Sequence, residues 1–175
     1  MNIANILIIL QLCIGMVATS ELSITATGSD EPIVDVAAIT VNEMKTATIK
    51  DVTWYLVETE EHLRDIGTGR YSLDKNYMQN NDIAMSSTEW IPIGTEDSPF
   101  TGSYNGNGFE IKGLTMKSPT AKIIGFFGFA QNAHLYNITM RDLDIETAGD
   151  KGKSVGAICA RSTNCNIHDN KVYSI

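Results

Sequence analysis

Leu135-Tyr136-Asn137-Ile138-Thr139-Met140 decides how this chain is read, because two other stretches resemble it: Ile111-Lys112-Gly113-Leu114-Thr115-Met116 and Ile167-His168-Asp169-Asn170-Lys171-Val172. Each runs apolar, polar, Gly/Asn/Asp, a fourth residue, polar, apolar, and the starts lie 24 and 32 residues apart. A second pair is interleaved with them: Ile124-Gly125-Phe126-Phe127-Gly128 resembles Val155-Gly156-Ala157-Ile158-Cys159 at an offset of 31. Self-similarity of this kind marks stacked units, none of which can bury its apolar face alone. A small third residue lets the chain bend at a corner, and the apolar first, fourth and sixth positions point inward on either side. The expectation is an all-β chain, a β-solenoid of short strands. It places Ile111, Leu135 and Ile167 above one another, and Met116, Met140 and Val172 likewise. An antiparallel sandwich would account for strands and turns but does not predict motif copies at similar offsets. Asn170 stands where the other copies carry Leu114 and Ile138, and an inward amide needs hydrogen-bond partners.

Working outward, the strand-and-turn texture begins near Tyr71: short runs of Ile, Val, Phe, Tyr and Thr punctuated by Gly, Asn and Asp. Tyr104-Asn105-Gly106-Asn107-Gly108-Phe109 predicts a tight turn with at least one glycine at positive φ. Residues 59–66 predict a short helix. Thr59 serves as N-cap, Glu60 and Glu61 suit the helix dipole, Leu63 and Ile66 share a face, and Gly67 stops it. So short a helix must cover something, and a solenoid end needs covering. Residues 21–52 are polar, rich in Thr, Ser, Ala and acidic side chains, and read as a spacer holding one or two strands. Residues 1–20 read as a signal peptide. The run Ile6 to Ile14 is apolar but for Gln11, and Ala18-Thr19-Ser20 offers small residues for cleavage after Ser20. The apolar run is short for a membrane span of about 20 residues.

The 175 residues carry a formal net charge of -8 and a pI of about 4.8. That length suits one domain with a leader and a linker. The acidic balance argues against nucleic acid as a partner, since a polyanion is repelled and no Lys/Arg cluster offsets it.

From residue 57 onward the motifs fall in an order that resembles the GLUG-repeat proteins. They are Tyr71-Ser72-Leu73, Asp82-Ile83, Trp90-Ile91-Pro92-Ile93-Gly94, Phe100-Thr101-Gly102, Asn105-Gly106-Asn107-Gly108, the Ile111–Leu114 strand and Gly125-Phe126-Phe127-Gly128. The second copy of the last signature is degraded to Gly156-Ala157-Ile158-Cys159. The resemblance implies a right-handed parallel β-helix of a few coils with a short N-terminal capping helix, over residues 53–175. It further implies a segment of a secreted or surface protein, often adhesin-like. In such proteins a cysteine often occupies an inward strand position, which suggests core roles for Cys159 and Cys165. A disulfide between these two is the other reading, once the leader takes Cys13 with it.

Chemistry is sparse. Asp142, Asp144 and Glu146 alternate onto one face of a strand, and the choice there is a calcium site or a solvated outer face. His62, His134 and His168 have no ligand spacing with one another and read as isolated residues. Asn137-Ile138-Thr139 matches the N-glycosylation signal, but a corner Asn137 and a core Ile138 already account for it. No catalytic, cofactor-binding or metal-binding residue is assigned, and no cofactor. Trp90, Tyr104, Phe109, Tyr136 and Tyr173 are divided between core filling and carbohydrate or protein contact. The expected role is an exported, non-enzymatic repeat segment, extracellular or at the cell surface, structural or adhesive. Its expected partners are a carbohydrate or a host or cell-surface protein, with self-association or continuation through the C-terminal coil, no nucleic acid and no stable membrane span. The alternative is a carbohydrate-active β-helix enzyme of the polysaccharide lyase or glycoside hydrolase type.

Overall fold

The computed structural model describes residues 42–117, 122–146 and 153–173, all within the compact unit Asn42–Ile175. The expected leader, residues 1–20, and residues 21–41 of the expected spacer lie outside the described residues.

The first elements are β1 (Thr46–Ile49) and β2 (Val52–Val57), an antiparallel hairpin that crosses the expected limit between spacer and β-rich segment. Lys50 and Asp51 close it with φ of 49° and 63°. Two consecutive left-handed residues give the turn whose twist matches that of paired strands. Helix α1 (Glu60–Asp65) follows where the sequence places it, and the Thr59 hydroxyl accepts from the His62 amide at 3.2 Å. Leu63 and Ile66 are buried. Arg64 bonds Glu60 and the carbonyls of Thr88 and Glu89, while Glu60 accepts from the Ser86 amide at 2.6 Å. These ties hold in place a helix too short to persist alone.

The remaining elements are β3 (Asn76–Gln79), β4 (Ile83–Ala84), β5 (Ser103–Asn105), β6 (Glu110–Lys112), β7 (Thr115–Lys117), β8 (Ile123–Gln131), β9 (His134–Tyr136), β10 (Thr139–Arg141), β11 (Asp144–Glu146), β12 (Ser154–Thr163), β13 (Asn166–His168) and β14 (Lys171–Tyr173). The expected right-handed parallel β-helix is corrected by their arrangement. Among the described residues the strands fall into several small sheets: a six-stranded one ordered β1-β2-β3-β5-β9-β13, a four-stranded one ordered β14-β10-β6-β4, and the pairs β11-β7 and β12-β8. The largest sheet is mixed, antiparallel at β1-β2 and parallel beyond. The physical reason lies in the uneven segments. A two-residue turn enforces antiparallel pairing, and strand lengths run from two residues in β4 to ten in β12, so the segments are unequal.

The expected vertical alignment holds for Leu135 with Ile167 and for Met140 with Val172, and is corrected for the first copy. Leu135 pairs with Ile167, but on its other side with Tyr104, not Ile111. Ile111 instead sits between Met140 and Ile83, and Met116 pairs with Ile145. The cause is the turn at residues 105–109. Asn107 and Gly108 take φ of 53° and 84°, and the Phe109 amide reaches the Gly106 carbonyl at 3.0 Å. Those extra residues separate Tyr104 from Ile111, so the first copy aligns one strand later than its spelling suggests. Gly106 has no room for a side chain, because a Cβ there would lie 2.2 Å from the Asn137 carbonyl oxygen. Asn170 does face inward and is satisfied: its amide donates to the Leu135 carbonyl at 3.1 Å and accepts from the Ile138 amide at 2.9 Å.

The core is a chain of ring contacts. Tyr77 meets Phe100 at 6.2 Å, Phe100 meets Phe127 at 4.8 Å, Phe127 meets Phe126 at 4.9 Å, and Trp90 stacks on Phe126 at 5.2 Å. Leu114, Leu135, Ile138 and Met140 complete it, all fully buried.

Candidate functional site

Alternation along β9 turns Leu135 into the core and His134 and Tyr136 outward. β13 lies beside it in parallel, with Asn166 opposite His134 and His168 opposite Tyr136. Four side chains therefore share one outward face. The His134 and His168 rings meet through their Nε2 atoms at 2.7 Å. His134 stacks on Tyr136 with centroids 4.3 Å apart, and Tyr136 stacks on His168 at 5.4 Å. The Asp169 carboxylate lies 2.7 Å from His168 Nδ1, and Asn166 Nδ2 lies 3.4 Å from His134 Nε2. Partial burial, and then the nearby charge of His168, push the His134 pKa below the ordinary histidine value.

Sequence reading missed this cluster because it sought spacing within a strand. His134 and His168 are 34 residues apart, whereas the β9-β13 register is 32, so they meet as diagonal neighbours. The register of the Leu135 and Ile167 copies contains that signal. His62 is the histidine that stands apart. It is buried, its Nδ1 accepts from the Glu58 amide at 3.1 Å, and its Nε2 has no hydrogen-bond partner among the described residues.

The acidic trio is not one cluster. Asp142 occupies a corner at φ 55°, while Asp144 and Glu146 lie exposed on β11 beside Lys117, at 2.6 and 3.8 Å from its Nζ. Among the described residues no three or more His, Cys, Asp or Glu are grouped to hold a metal ion. Cys159 and Cys165 are free thiols, half-buried against the core, and burial raises the Cys159 pKa to about 11. Asn137 is an exposed left-handed corner (φ 54°) followed by fully buried Ile138.

The five aromatic candidates separate cleanly. Trp90 and Tyr104 are core, and the Trp90 indole donates to the Phe126 carbonyl at 3.0 Å. Phe109 and Tyr136 are half-buried, and Tyr173 is exposed with the Arg141 guanidinium 4.2 Å over its ring. A cavity of about 360 Å³ opens beside Trp90, Ile91, Pro92, Met116 and Ile124, and Glu89 is the charged side chain that lines it among the described residues.

A different surface runs along β11, β12, β13 and β14, each the last strand of its sheet among the described residues. Ile145, Val155, Ile167, Val172 and Tyr173 on these strands are exposed. No described helix is long and apolar enough to cross a membrane.

No protein-family model matches the chain, so the GLUG-repeat resemblance rests on the residues quoted above. No solved structure matches it. Among curated proteins it is similar to one from Evansella cellulosilytica described as "Putative Gly-rich membrane protein", at 30% identity over 95 residues. That match takes in 49% of this chain and 11% of the other, so the chain spans about a tenth of the relative's length.

Proposed function

We propose that this chain is a non-enzymatic, extracellular or cell-surface segment with a structural or adhesive role. It acts by adding strands from a second copy of itself along β11–β14. The observation that carries this reading is the run of exposed Ile145, Val155, Ile167 and Val172 on four consecutive terminal strands. Their register partners Met116, Ile124, Leu135 and Met140 are buried. Exposed apolar strands with unpaired backbone groups template further pairing. Two copies meeting edge to edge present the same surface to each other, with β13 antiparallel to its mate by two-fold symmetry. Export rests on the apolar run from Ile6 and the small residues at Ala18 and Ser20. Against the carbohydrate-active alternative, Asp144 and Glu146 are exposed and tied to Lys117, as in an ordinary outer-face ladder.

Sedimentation velocity across a concentration series tests the association. The expected result is a mass that rises with concentration in the parent and stays monomeric in an Ile167→Lys/Val172→Lys variant. A parent that remains monomeric throughout overturns the edge as the working surface. N-terminal sequencing of secreted protein tests the export, with Glu21 expected as the first residue, and a cytosolic product retaining Met1 overturns it.

A further inference from the structure

We infer that the His134–His168 pair is a binding site for a borderline divalent transition ion, with Zn²⁺ as its simplest representative. Four observations converge on this. The two Nε2 atoms face each other across 2.7 Å, so both lie within reach of one ion placed beside them. Two Zn–N bonds of about 2.0–2.1 Å at a tetrahedral angle set the nitrogens about 3.4 Å apart, so the nitrogens part by under about 1 Å while the rings turn toward the ion. Asp169 sits 2.7 Å from His168 Nδ1. A carboxylate there holds the hydrogen on Nδ1 and leaves the Nε2 lone pair free, which is the outer-shell arrangement of histidine metal sites. Tyr136 stacks against both rings and fixes their planes. The chain's net charge of -8 adds a general attraction for cations.

In the unoccupied pair one ring donates its Nε2 hydrogen to the other. With Asp169 holding the His168 hydrogen on Nδ1, the donor is His134. When the ion enters, the neutral His134 ring moves that hydrogen to Nδ1 and presents the Nε2 lone pair. Both rings then ligate without a net change in protons, and water fills the remaining positions. Imidazole nitrogen suits Zn²⁺, Ni²⁺ and Cu²⁺. Two protein ligands make an open site, one that exchanges its ion with solution rather than a structural core element.

Titration of the untagged full chain with ZnCl2 at pH 7.5, read by calorimetry, is the test. One ion per chain is expected. His134→Gln and His168→Gln should each weaken binding at least tenfold, and Asp169→Asn about tenfold to a hundredfold. Replacing Cys159 and Cys165 by Ser should leave the affinity unchanged. In the unaltered chain, the imidazole NMR signals of His134 and His168 should move on adding zinc while those of His62 stay in place. No saturable zinc uptake, uptake that the two Gln variants leave unchanged, or imidazole signals that do not respond would each overturn the site.

Discussion

At one border of the core Leu63 of α1 is fully buried; at the other, Ile167 is 39% and Val172 46% exposed. The side chains are of one chemical kind, and the difference is what lies over them. Near β2 and β3 the chain supplies a helix, pinned by Glu60 to Ser86 and by Arg64 to Thr88 and Glu89. Among the described residues, each strand along β11–β14 has a neighbour strand on one side only. Burial, not residue type, therefore decides which copies of the motif carry stability, and which are free to act on another molecule.

The sharpest break in this comparison is a matched pair. Leu135 and Ile167 are register partners. Leu135→Ala should cost about 2–5 kcal/mol as a fully buried truncation, whereas Ile167→Ala should cost about 1 kcal/mol or less. Urea unfolding of the two variants compares them directly, and equal losses would mean that the edge is as buried as the interior. Next comes Asn170, which ties β14 to the core through the Leu135 carbonyl and the Ile138 amide. Asn170→Ala leaves that amide unpaired and should cost about 1–3 kcal/mol; a neutral result would show that the edge is not anchored this way.

Two charge substitutions sharpen the contrast further. Glu60 is largely buried beside Arg64, and although burial opposes ionisation, the Ser86 and Arg64 hydrogen bonds hold its pKa below the ordinary value. Glu60→Gln should cost about 1–2 kcal/mol. Asp144→Asn, at an exposed ion pair with Lys117, should cost about 0.5 kcal/mol or less.

The smallest effect is in pH. The folded His134 pKa lies below its unfolded value near 6.5, so the unfolded chain binds more protons between the two. Stability should be complete above pH 6.5 and decline as pH falls below it. Glu60 adds a second decline beginning near pH 4.5, because its folded pKa is also depressed. Thermal melts of the parent and His134→Gln from pH 8 to 5 check this: the first decline should flatten in the variant, and an identical profile would remove His134 as its source.

How much of this was legible beforehand depends on the range of the interaction. The Thr59 cap, the Gly67 stop and the Asn107-Gly108 turn are local, and each stands where its residues predict. The Val155 and Gly156 pairing with Ile124 and Gly125 was legible too, because these pairs keep the 31-residue offset of the two spellings. Beyond it the bulge slides Cys159 onto Phe127 rather than Gly128. The alignment of Ile111 failed for the same kind of reason: the turn at 105–109 inserts residues that motif spelling ignores. The β-helix expectation failed because similar spellings do not require equal units, and the β1-β2 hairpin reverses the chain outright. The histidine pair was missed because it is a property of register between strands: the Leu135–Ile167 offset carries it, and no spacing within one strand does.

The most direct test of the account is hydrogen exchange at two protein concentrations. The central claim is that β11–β14 is an unsatisfied edge that a second copy completes. In dilute solution the amides of β13 and β14 should exchange much faster than those of β9 and β10, and at high concentration they should slow toward them. Equal protection in all four strands at both concentrations would contradict the account, because it would mean that the edge is already closed within a single chain.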